Sequence, residues 1–228
     1  MAEAAPAAES SRIEDHALIG DCETAALVDR DGSINWLCWP RFDSDACFAA
    51  LLGERSNGFW CVGPTEPARV TRRYRAGTLI LETRFETDAG AVTLIDFMPP
   101  RGDASHLVRI VRGEQGRVTL RMEMALRFGY GLTVPWVSRL ADGRLAAIAG
   151  PDMVVLGADV ETRGEEMTTV ADFEIGAGES RAFVLTHGAS HLPPPDCIDA
   201  EAALILADSF WRDWLGKARL DGAYAEAV

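Results

Sequence analysis

Positions 118–128 alternate without a fault. Val118, Leu120, Met122, Met124, Leu126 and Phe128 are apolar, and Thr119, Arg121, Glu123, Ala125 and Arg127 fall between them. Successive side chains of a strand point to opposite faces, so this stretch predicts a β-strand with one face in a core and the other toward water. A helix built on the same residues would scatter its apolar groups around the whole circumference. Hairpin signals surround it. Segments 24–28 and 33–38 flank Asp31-Gly32, and segments 79–86 and 91–98 flank Asp88-Ala89-Gly90, turn residues that accept positive φ angles. Further short runs rich in β-branched and apolar residues lie near 59–62, 69–75, 106–112, 144–149, 152–158, 167–175 and 180–187. Turn residues separate several of them at Asp142-Gly143, Gly150-Pro151, Gly164 and Gly176-Ala177-Gly178. Many short strands with almost no helical periodicity before position 198 predict an all-β chain, an antiparallel β-sandwich of two sheets. Positions 46–52 are the exception, a candidate short helix.

The end of the chain differs in kind. Pro193-Pro194-Pro195 interrupts the sheet pattern, and Asp199 offers a helix N-cap ahead of an Ala-rich segment. Leu204, Ala207, Trp211, Trp214 and Leu215 recur at steps of three and four, so one helix face carries two tryptophans and needs a partner surface. Gly216 supplies a stop. The expected organisation is a flexible tail over 1–12, a sandwich domain over 13–192, and a Pro-rich turn with a linker helix over 193–228.

The segment GDCETAALVDRDGSINWLCWPRFDSDACFAALLG, followed in order by VTRRYRAGTLILETRFET, VTLIDFMPP, LVRIVRG, RMEMALRFGYG and FWRDWL, resembles the N-terminal domain of bacterial and archaeal glycoside hydrolase family 15 proteins, the glucoamylase, glucodextranase and trehalase group. The resemblance runs from about Ile13 to Val228. It implies a β-sandwich, a helical linker and then an (α/α)6 barrel whose two glutamates perform inverting hydrolysis of α-glucosidic bonds. The barrel is not among these 228 residues, so the resemblance carries over no catalytic residue. This chain alone is expected to be inactive and to act by docking on its own catalytic barrel, with the α-glucoside or trehalose-type sugar bound through that barrel.

Composition narrows the partners further. Twenty-two Lys and Arg against 35 Asp and Glu give a net charge of -13, which opposes attraction to nucleic-acid phosphates or anionic lipid. The Ala-rich start has neither a basic region nor a long apolar run and reads as a tail, not a signal peptide. The five cysteines, Cys22, Cys38, Cys47, Cys61 and Cys197, contain no C-x-x-C pair. That number and spacing favour buried free thiols over a disulfide framework or a zinc site, and hence a cytoplasmic location. Histidines 16, 106, 187 and 191 lack metal-binding spacing, and no cofactor or phosphate-loop motif is present.

Glycoside hydrolysis needs two carboxylates held on opposite sides of the scissile bond. The close acidic pairs, Asp43 with Asp45, Glu165 with Glu166 and Asp21 with Glu23, read more simply as turn residues or solvated faces. The stronger functional candidate is the loop Trp39, Arg41, Phe42 and Asp43. Aromatic faces pack on sugar rings, and an Arg beside an Asp can hold hydroxyls. These residues either shape the substrate cleft or brace the loop against the barrel. Tyr130 and Trp136 form a second cluster of the same two readings, and Trp211 with Trp214 mark the linker helix as a barrel-docking element. The competing reading is a free-standing carbohydrate-binding module. An apolar face left open by a missing barrel also predicts pairing of the chain with a second copy, a homo-oligomer.

Overall fold

The computed structural model describes residues 12–217. Fifteen strands and one helix follow in order: β1 (Ala17–Gly20), β2 (Ala25–Val28), β3 (Ser33–Cys38), β4 (Ala46–Phe48), β5 (Phe59–Pro64), β6 (Arg69–Tyr74), β7 (Leu81–Glu86), β8 (Gly90–Phe97), β9 (His106–Ala125), β10 (Trp136–Arg139), β11 (Leu145–Ala149), β12 (Asp152–Ala158), β13 (Arg163–Glu165), β14 (Thr168–Gly176), β15 (Ser180–Ala189) and α1 (Ala200–Leu215). Every pairing is antiparallel, and the architecture is the all-β sandwich with a C-terminal helix that the sequence predicts.

Twenty-residue β9 belongs to both layers. Its first half pairs with β8 and β15, in a sheet ordered β6-β7-β8-β9-β15-β12-β11-β10; its second half pairs with β5 and β14, in a sheet ordered β1-β2-β3-β5-β9-β14-β13, with β4 added on β3. The corner between the halves is made by glycine. Gly116 has φ +64, and a Cβ there would run into the carbonyl of Ala89; a Cβ on Gly113 would run into that of Gly176. Only a residue without a side chain lets three backbones meet so closely. Segments 106–112 and 118–128, read as separate strands, are therefore one element, and it ends at Ala125, short of Phe128.

Facing side chains fill the space between the layers. Trp60 and Phe48 meet at 6.5 Å between ring centroids, Phe183 sets its edge on Trp60, and Leu107 and Val111 of β9 join the same cluster. Arg109 sits between those two, fully buried. Its guanidinium donates to both Asp96 carboxylate oxygens, at 2.7 and 3.1 Å, and to the carbonyls of Trp60 and Gly32. A buried charge survives only when its donors are taken up this completely. The opposite residues of this half-strand, Val108 and Ile110, point out of the sandwich, where α1 covers them with Ala200, Ala203, Leu204 and Ala207.

The helix thus has its partner surface within this chain. Asp199 caps it, accepting from the Ala202 amide at 2.7 Å, and Gly216 follows it. Trp211 is buried, whereas Trp214 is half-exposed and Ile205 and Leu206 are exposed, so the two tryptophans do not share one open face.

Positions 46–52 are not a helix. Ala46, Cys47 and Phe48 form β4 against β3, with Leu37 opposite Phe48 and Cys38 opposite Ala46, and a single 3-10 turn follows at Ala50–Leu52. All three strand residues are buried, and Phe48 reaches Trp60 only from an extended backbone. The cysteines are all free, yet only Cys38 and Cys47 are buried. Cys61 is half-buried, and Cys22 and Cys197 are exposed, which corrects the expectation of five buried thiols. No helix among the described residues is long and apolar enough to cross a membrane.

Candidate functional site: the loop end of the sandwich

Strand registers place five connections at one end of the β1-to-β13 sheet. Ala25 lies opposite Gly20, Ala26 opposite Leu37, Phe59 opposite Ala125 and Thr169 opposite Met124. The β1–β2 turn, the β3–β4 loop, the 49–58 segment, the β9–β10 loop and the β13–β14 turn therefore all emerge together. The loop candidates from the sequence, residues 39–43 and Tyr130, sit there, and Trp136 begins the strand that leaves it.

The end is organised by a buried carboxylate that sequence reasoning dismissed as a turn residue. Asp21 Oδ1 accepts from the amides of Glu23 and Thr24 at 3.0 and 2.9 Å, and Oδ2 accepts from Arg101 Nε at 2.8 Å and Ser105 Oγ at 2.6 Å. Burial raises the Asp21 pKa, but the bonds from Arg101, Ser105 and the two amides outweigh it and hold the carboxyl below the ordinary aspartate value. Ser105 in turn accepts from Trp39 Nε1 at 2.8 Å, Thr24 Oγ1 donates to the Cys38 carbonyl at 2.6 Å, and Arg101 donates to the Pro40 carbonyl. Trp39 is consequently a core residue, its ring 5.9 Å from that of His187. This removes it from the cleft or interdomain candidates: its indole anchors the loop from inside and has no face left for a sugar. The partners Arg101 and Ser105 lie eighty and eighty-four positions away, and a lone Asp in a turn carries no signal of them.

Beyond the anchored Trp39 and Pro40 the tip projects outward. Arg41 Nε and Asp43 Oδ1 are 3.0 Å apart with both side chains well exposed. The pairing raises the Arg41 pKa and lowers that of Asp43, but a pair this exposed adds little stability. Phe42 between them is 70 % exposed, and its amide is fixed on the Glu23 carbonyl at 3.0 Å. The structure so presents a cation, a ring and an anion on a braced backbone.

Tyr130 is in the left-handed region at φ 58, its amide bonded to the Ala46 carbonyl, its ring 6.1 Å from that of Trp36. It joins the β9–β10 loop to the β3–β4 side of the same end. Trp136 opens β10 at 80 % exposure and borders a cavity of about 370 Å³ between the sheets.

One member of each acidic pair is already engaged. Asp21 is saturated, Glu165 is held by Arg121 and Arg163 at 2.8 and 2.7 Å, and Asp43 by Arg41. Among the described residues no three His, Cys, Asp or Glu side chains gather as a metal site.

A family model described as "Trehalase-like, N-terminal" matches residues 6–196. The chain belongs to that family. This trehalase-like N-terminal domain is 31% identical over 232 residues to a trehalase of Mycolicibacterium smegmatis, and likewise to one of Mycobacterium tuberculosis; the alignments take in 89% of this chain and 34% of each relative. It is 24% identical to a trehalase of Thermoplasma volcanium, with 95% of this chain and 36% of the relative aligned. The chain spans about a third of the length of these relatives. All of the trehalase-like domain's loop-end residues fall inside the family match, whereas α1, with Trp211 and Trp214, lies beyond it.

Proposed function

We propose that this chain is the non-catalytic N-terminal domain of a cytoplasmic glycoside hydrolase of family 15 type that cleaves a trehalose-type α-glucoside. It docks on a downstream catalytic barrel and contributes the Arg41-Phe42-Asp43 tip to the wall of the barrel's cleft. The match to about a third of several trehalases carries the reading. The braced tip supports its finer part, because a side chain held on a fixed backbone positions a sugar hydroxyl with little ordering cost. The test uses the polypeptide extended through the downstream domain. With trehalose it should release glucose, and the 228-residue chain should release none. Arg41→Ala in the longer protein should raise KM about tenfold, or ~1.4 kcal/mol, with an unchanged melting temperature. An unchanged KM would remove the cleft role; an inactive extended protein would remove the hydrolase reading.

The exposed indole of Trp136 also suits a carbohydrate-binding module acting alone. Titration calorimetry of the 228-residue chain with trehalose and maltose separates the two, since only the module binds sugar without a barrel.

A further inference from the structure

The cavity beside Trp136 has an apolar depth formed by Met124 of β9 and Leu126 just after it, Val154 and Leu156 of β12, and Leu185 of β15. Two of its lining residues are exposed apolar groups, Trp136 at 80 % and Met167 at 67 %, and Leu132, in the β9–β10 loop that supplies other lining residues, is 89 % exposed. One edge of the mouth is β10, the last strand of its sheet, with all four residues exposed. An apolar edge strand left open is a liability that folded proteins cover or charge.

Arg127 stands on the same rim. Its guanidinium donates to the Leu126 carbonyl at 2.8 Å and twice to the Met167 carbonyl at 3.3 Å. Among the described residues it pairs with no carboxylate, and burial alone depresses its pKa. In a chain of net charge -13 a partly buried cation without an anion is notable, because acidic groups are plentiful and none is placed here.

We propose that this cavity face is the seat of the catalytic domain, and that it receives from that domain a projection bearing a large apolar side chain next to a carboxylate. The inference rests on the docking reading above. A small solute could fill the cavity and touch Trp136 but would leave Leu132, outside the lining, in water, whereas a domain can cover both. The relatives supply such a body, since about two thirds of their length lies outside the match. Charge narrows its register: a chain of this net charge disfavours an acidic partner in general, whereas Arg127 on the rim, with Arg139 on β10, favours a carboxylate here.

Hydroxyl-radical footprinting read by mass spectrometry, on the 228-residue chain and on the polypeptide extended through the downstream domain, tests this. Oxidation of Trp136 and Met167 should fall several-fold in the longer protein, while that of Tyr74 on the far-edge strand β6 stays unchanged. Arg127→Glu sets like charges face to face and should restore most of the oxidation, corresponding to docking weakened by roughly tenfold or more; Arg127→Lys should not. Trp136→Ser, at an exposed position that leaves the fold intact, should likewise expose Met167. Protection confined to other surfaces, such as Phe42 or Leu206, overturns this seat and leaves the docking reading standing. Protection that Arg127→Glu does not relieve overturns the carboxylate. No protection anywhere overturns both the seat and the docking.

Discussion

Asp21 and Asp96 are both buried carboxylates bonded to arginine, yet they do different work. Asp96 neutralises Arg109 at the centre of the sandwich, whereas Asp21 ties together the turn before β2, the segment before β9 and the indole of Trp39. The Asp21 carboxyl is held below its ordinary value, so its contribution to stability is fully present above the unfolded-state aspartate range and is lost as pH falls through the folded value. Urea midpoints measured from neutrality down to about pH 2 should therefore fall more steeply for the native chain than for Asp21→Asn below about pH 4. At neutral pH the variant should already be less stable by about 1.5–3 kcal/mol. Parallel acid limbs for the two proteins would refute the assignment. This residue also marks the limit of legibility at the site. Phe42 and Trp136 could be picked out because they are chemically rich residues in or beside loops. Asp21 and Arg127 could not, because their significance lies in what stands beside them after folding: four donors around one and, among the described residues, no carboxylate paired with the other.

At the scale of elements, local pattern was sufficient where one face of a segment meets water. The alternation over 118–128 and the cap and steps of α1 are such cases. It gave less where both faces are buried: 106–112 reads as a strand and is one, but its length does not show. Residues 107–111, Leu-Val-Arg-Ile-Val, face the sandwich core on one side and α1 on the other, so polarity does not alternate, and nothing announced that they continue into 118. The three buried residues of β4 were misread as helix for the same reason. The helix itself offers a direct check through two leucines two positions apart. Leu204 is 3 % exposed and packs under the helix, whereas Leu206 is 67 % exposed. Leu204→Ala should cost about 2–5 kcal/mol and Leu206→Ala no more than about 0.5 kcal/mol, by chemical denaturation. Equal losses would mean that α1 does not lie on the sheet as described.

For the molecule as a whole, the loop end gathers residues that are far apart in the chain, and topology is what gathers them. Strands β1, β3, β5, β9 and β14 either end or begin there, so the tip at Phe42, the ring of Tyr130 and the cavity at Trp136 become one side of one body. Short sequence motifs identified the pieces. Only the registers showed that they share an end. The two sheets are likewise one body, since β9 has no break between them. Tryptophan fluorescence and far-UV circular dichroism should give coincident urea transitions with a single midpoint; two separated midpoints would show layers that melt independently. The glycine corner carries the consequence into slow dynamics. Because one strand threads both layers, a local opening of either sheet is checked by the other. The amides of Ile110 and Met122, on opposite sides of the corner, should then exchange with deuterium in the same slowest class, released only when the whole chain lets go.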